Sequence, residues 1–193
     1  MTIERASLAT HLRSALWQRF DLPGADYCAL WRVGTGWRLA GVALAAFDGV
    51  PLRAEYRVEC DAAWRTREVS LAVATGGEER LLSLRVGDDA TWSLDGRPVD
   101  GVRGCRDVDL GVTPATNILP IRRLNLAVGA SAEVVAAWVR FPELTIAPLW
   151  QRYTRLAEDR YRYESDGGYV TELLVDDLGL IATYAGGWRR VSA

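Results

Sequence analysis

Lysine is absent from this 193-residue chain, and all 23 basic residues are arginine. Arginine suits bidentate recognition of carboxylate and phosphate. A codon-biased, GC-rich genome yields the same composition, so position has to decide between the two. Histidine is nearly absent too: His11 stands alone, outside any polar cluster. A serine or cysteine nucleophile therefore lacks its usual base. No Gly-x-Ser-x-Gly elbow, His-Glu-x-x-His pair or Gly-x-x-x-x-Gly-Lys loop occurs. Gly34-Thr-Gly36 lacks the third glycine of a nucleotide loop and reads as a turn. The three cysteines, Cys28, Cys60 and Cys105, are odd in number and widely spaced. They match neither a disulfide framework nor a zinc site and read as small buried apolar residues. No cofactor and no metal are expected.

Long apolar runs are missing as well. Nothing approaches the roughly 20 residues of a membrane-spanning helix. Met1-Thr-Ile-Glu-Arg5 is not followed by the apolar stretch of a signal peptide. No transmembrane segment and a cytoplasmic location are expected. The net charge is -2 with no block of like sign, which leaves no long-range field for nucleic acid.

What is present is period-two alternation. In Leu52–Cys60, Leu52, Ala54, Tyr56, Val58 and Cys60 face one way, and Arg53, Glu55, Arg57 and Glu59 face the other. That is a half-buried antiparallel strand. Similar runs occupy 27–33, 37–47, 66–74, 80–86, 122–128, 170–175 and 178–184. Asp95-Gly96 predicts a tight hairpin between 91–94 and 98–99. Residues 7–17 place Leu8, Leu12, Ala15 and Leu16 at helical spacing, which predicts a short amphipathic helix. Residues 132–141 fit either period, but frequent valines and Pro142 immediately afterwards favour a strand. With no repeat or linker, one domain over 1–193 is expected. Short strands with turns at close intervals argue for an antiparallel sheet, rolled or sandwiched.

The richest segment is Cys105–Arg123. Alternation sets Asp107 and Asp109 on one strand face opposite Val108, Leu110 and Val112. Pro114 and Pro120 bias Thr113 and Leu119 toward extended backbone. Thr116 and Asn117 can bond to their own neighbouring backbone. Paired acids of this kind serve acid–base chemistry when one has a raised pKa, but arginine pairing is the commoner role. On a strand over 122–128, Arg122 would share its face with Leu124, Leu126 and Val128, while Arg123 points away. Arg65 and Arg67 precede Val69, Leu71 and Val73 on a common face. Trp64, Trp92, Trp150, Tyr153, Tyr161 and Tyr163 lie in or beside polar sequence, where such rings stack on sugars or line apolar grooves.

With these residues assembled, the chain resembles a family of small bacterial proteins described as "putative glycolipid-binding". The specific element is Thr113-Pro-Ala-Thr-Asn117-Ile-Leu-Pro120-Ile-Arg122-Arg123. Asp61-Ala-Ala-Trp64-Arg-Thr-Arg67, Gly104-Cys-Arg-Asp107-Val-Asp109, Gln151-Arg-Tyr153-Thr154 and Asp176-Asp-Leu-Gly179 support it. The likeness begins near Trp17 and spans nearly all the rest of the chain. It implies a mainly β fold, a single curved antiparallel sheet forming a spiral β-roll or half-open barrel with one or two short helices. The fold so implied is similar to that of periplasmic lipoprotein carriers, although no export signal like theirs is expected here.

The function expected is non-enzymatic binding of a lipid or glycolipid in an apolar groove of the curved sheet. Trp64, Arg67, Asp107, Asp109, Asn117, Arg122, Arg123 and Tyr153 are the expected ligand residues. A hydrolase built on Asp107 and Asp109, and a module that binds a peptide or a second copy as a homodimer, are the alternatives.

Overall fold

The computed structural model describes residues 9–192. They form one open sheet of fifteen strands. The first eight are β1 (Ala9–Arg19), β2 (Gly24–Val33), β3 (Gly36–Phe47), β4 (Val50–Cys60), β5 (Thr66–Thr75), β6 (Glu78–Val86), β7 (Trp92–Leu94) and β8 (Arg97–Pro98). They are followed by β9 (Val108–Leu110) and the short helix α1 (Ile118–Leu124). The remainder are β10 (Ser131–Val139), β11 (Ile146–Arg155), β12 (Arg160–Ser165), β13 (Tyr169–Val175), β14 (Ile181–Tyr184) and β15 (Trp188–Arg190).

The order across the sheet is β8 through β1 in descending sequence, then β15 down to β9. The chain thus meanders outward from β1 to one edge and crosses to the opposite edge at β9. It then meanders back, so that its last strand pairs with its first, Trp17 opposite Arg190. Local hairpins account for nearly every pairing, and Asp95-Gly96 joins β7 to β8 as its sequence predicts. One pair, β9 with β10, is parallel, which makes the sheet mixed.

The interior is filled by α1 and the short 3-10 turn Ala115–Asn117 that leads into it. Ala115, Ile118 and Leu119 are fully buried against Leu39, Tyr56, Val58, Val69 and Leu71 of the first meander. Ile121 and Leu124 pack instead with Tyr153, Tyr161, Leu173 and Ile181 of the second. A seven-residue helix has little stability of its own; it persists because opposite faces are buried by opposite walls of the roll. Its C-terminus is closed by Asn125 in the left-handed region (φ 44°), whose N–H reaches the Ile121 carbonyl.

Three expectations are overturned. Residues 9–17 are strand rather than helix, and positions 7 and 8 lie outside the described residues. Ala15 and Trp17 face the core while Leu12 and Leu16 are exposed, so apolar residues on both faces imitate helical spacing. The predicted strand 122–128 is the end of α1 and the loop after it. Leu119 is helical despite Pro120, because proline in a first helical turn removes only an N–H that has no partner there.

Candidate functional site

The interior plug is fixed to the sheet by a buried polar group. Asp26 on β2 is 0% exposed. It accepts hydrogen bonds from the Tyr56 hydroxyl, at 3.1 and 3.0 Å to its two oxygens, and from the Thr113 hydroxyl. Thr113 Oγ1 also accepts the Ala115 N–H at 3.0 Å, at the start of the plug. Tyr56 lies across Gly41, where a Cβ would come within 2.4 Å of its hydroxyl. Burial raises the Asp26 pKa to about 7 against the pull of those two hydroxyls.

The motif residues divide into separate groups. Asp107, 1% exposed, is held by Arg123 through two bonds, Nε to Oδ1 at 2.9 Å and Nη2 to Oδ2 at 2.5 Å. Burial pushes its carboxyl upward, opposed by that guanidinium. Asp109 accepts instead from Gln151 Nε2 at 2.6 Å, and its pKa is raised by burial to about 6. Tyr153 donates to Asn117 Oδ1 at 3.0 Å, tying β11 to the plug. Asp107 and Asp109 are therefore engaged by different partners, and the bidentate arginine removes Asp107 as a free general acid.

Arg67 does not join Trp64. A bulge between Glu59 and Cys60 pairs Cys60 with Thr66, so Thr66 turns inward. Arg67 is the extra residue, directed to Asp61 at 3.1 Å and Asp88 at 2.7 Å.

Trp64, Arg122 and Arg123 do come together, with Arg65 and Arg106, around a pocket of about 460 Å³. The Asp61 carboxylate accepts the N–H groups of Ala63 and Arg65, both at 2.9 Å. This tight loop sets Trp64 at φ 64°. The Trp64 ring stacks on Trp37 with centroids 4.3 Å apart, and Arg32 lies over the Trp37 ring at 4.2 Å. Arg122 sits 5.7 Å above Trp64. Arg106 is brought alongside when its carbonyl accepts the Thr66 N–H at 2.9 Å. Arg106, and its place beside Arg65 from 41 positions away, escape a reading of the sequence because they depend on this cross-sheet bond.

The plug fills the interior of the roll, where sequence placed the hydrocarbon. An apolar groove lies instead on the opposite, outward face of β2 to β6 and measures about 620 Å³. Strand register aligns its lining in rows. Tyr27, Val42, Glu55, Ala72 and Leu81 are successive cross-strand neighbours, and Leu16 extends that row onto β1. The next row on the same face runs Ala40, Arg57, Ser70 and Ser83. Leu81 is 74% and Tyr27 47% exposed. The signal for this surface is in β3, where Leu39, Ala40, Val42, Ala43, Leu44 and Ala45 are apolar on both faces. A strand with one solvated face alternates instead.

Among the described residues no cluster of three or more histidine, cysteine, aspartate or glutamate side chains is placed to hold a metal ion, and no helix is long and apolar enough to cross a membrane.

The comparisons with known proteins agree with one another. The chain is similar to the crystal structure of a DUF1089 family protein from Pseudomonas aeruginosa, with 33% identity and a TM-score of 0.79. That likeness covers 86% of this chain and 92% of the other. No curated protein matches. The family model described as "Putative glycolipid-binding" matches residues 14–190. With nearly the whole sheet inside that match, the chain belongs to this family.

Proposed function

We propose that the protein binds an amphiphile of the glycolipid class along the outward groove of β2 to β6. The observation that carries this reading is the pair of adjacent rows. Tyr27 with Val42, and Ala72 with Leu81, offer apolar side chains to a hydrocarbon on either side of Glu55 in the same row. Arg57, Ser70 and Ser83, one row along, offer donors and acceptors to a hydroxyl-rich head. Rows on one strand face are two residues apart, about 6.8 Å, so the polar row runs directly alongside the apolar one. Asp95 and Glu55 add carboxylates at the same groove, the usual partners of sugar hydroxyls. The description of the family points to the same ligand class.

Each methylene buried contributes roughly 0.8 kcal/mol, so five or six offset the lower range of association costs, about 4 kcal/mol. Affinity should therefore climb about fourfold per added methylene. Calorimetric titration with alkyl maltosides of increasing chain length, below their micelle concentrations, tests this. Leu81→Glu and Val42→Glu should weaken dodecyl maltoside at least tenfold. Affinity independent of chain length, or unchanged in both variants, would remove the groove as the site.

A further inference from the structure

We infer that the pocket bounded by Trp64, Arg65, Arg106, Arg122 and Arg123 binds an oxyanion of the phosphate or sulfate class. Four arginines from three segments line it: Arg65 of the β4–β5 loop, Arg106 of the crossing segment before β9, and Arg122 and Arg123 of the last turn of α1. No carboxylate lines the pocket. Asp107, which does not line the pocket, pairs with Arg123, and among the described residues Arg65, Arg106 and Arg122 form no ion pair. Arg67, two positions from Arg65, shows the contrast, since two acids close it off.

The convergence is built rather than incidental. Backbone bonds pin Arg65 to Asp61 and Thr66 to Arg106. The stacked pair of tryptophans gives Arg122 a flat seat. Like charges gathered this way repel unless an anion is shared between them. Guanidinium forks fit the oxygens of a tetrahedral anion. At about 460 Å³ the pocket exceeds a bare anion, which leaves space for the group that a phosphate ester carries. None of the residues lining the outward groove lines this pocket, so the inference stands or falls independently of the amphiphile reading.

Calorimetric titration at low ionic strength with inorganic phosphate and with sulfate is the direct test. Saturable binding is expected, weakened at least tenfold in R106Q/R122Q and unchanged in R97Q, an exposed arginine on β8. R65Q alone should weaken binding severalfold, and it keeps the test open if the double variant does not fold. Flotation with phosphatidylcholine vesicles, with and without phosphatidylglycerol, separates the sources. Capture only by the anionic vesicles, lost in R106Q/R122Q, assigns a lipid head group. Phosphate binding without vesicle capture assigns a soluble phosphate or its ester. Absence of saturable binding to both anions together with indifference to phosphatidylglycerol would overturn the inference, as would binding that survives the arginine variants intact.

Discussion

The Tyr56 hydroxyl donates to both carboxylate oxygens of Asp26, at 3.1 and 3.0 Å, at the point where the sheet wall meets the plug. Thr113 completes the arrangement from the plug side. Burial without a cation holds the Asp26 pKa near 7, against an ordinary value of 3.8. The native state therefore keeps a proton there that the unfolded chain loses near pH 4. Stability should fall as pH rises from about 4 to about 7 and level off above, by up to about 4 kcal/mol from this group. Asp109 acts in the same direction up to about pH 6. Asp26→Asn should flatten the remaining decline between pH 6 and 7 and unfold at a higher temperature than the parent at pH 8. Thermal melts across that range check it.

Gly41 faces the Tyr56 ring, with room for no side chain. Gly41→Ala drives a Cβ into the Tyr27 carbonyl, 2.3 Å away, and into the Tyr56 hydroxyl. The expected cost is about 2 kcal/mol or more, as in other overpacked cores. It should be accompanied by loss of the pH dependence assigned to Asp26, measured in urea titrations at pH 5 and pH 8.

Arg123→Ala leaves Asp107 buried and unpaired. Breaking such a pair from one side costs about 3–5 kcal/mol. The double substitution Asp107→Leu with Arg123→Leu should cost much less, because no charge is stranded. A double-mutant cycle by chemical denaturation distinguishes the two outcomes.

Leu119→Ala removes a fully buried side chain from the plug and should destabilise by about 2–5 kcal/mol. Leu81→Glu changes a residue 74% exposed and should shift stability by less than about 0.5 kcal/mol. Comparing the two separates the interior, which holds the fold together, from the outer face to which binding is assigned.

Much of the sheet was legible because its inner face is consistently apolar. The alternation of Leu52 to Cys60 maps directly onto β4, and most of 132–141 is the strand that its valines favoured, β10 ending at Val139. The failures have a common origin. Period-two reasoning assumes one solvated face, yet β1 carries Leu12 and Leu16 outward and Ala15 and Trp17 inward. Leu124, Leu126 and Val128 imitate a strand at the end of a helix because α1 is buried on two sides, which erases a single apolar stripe. Trp64, Arg122 and Arg123, expected together from sequence, do line one pocket, whereas Arg67 is drawn away to Asp61 and Asp88 by a bulge that composition does not reveal. The outward groove was not found, since its rows are created by register between strands.

Ligand binding is assigned to the outward face of β2 to β6. Amide correlation spectra of the labelled protein, titrated with dodecyl maltoside below its micelle concentration, read that face residue by residue. Shifts concentrated at Tyr27, Val42, Ala72, Leu81 and Ser83, with Ile118 and Leu119 unmoved, are predicted. Shifts centred on Ala115, Ile118 and Leu119 would contradict the account by showing that the plug yields and the ligand enters the roll.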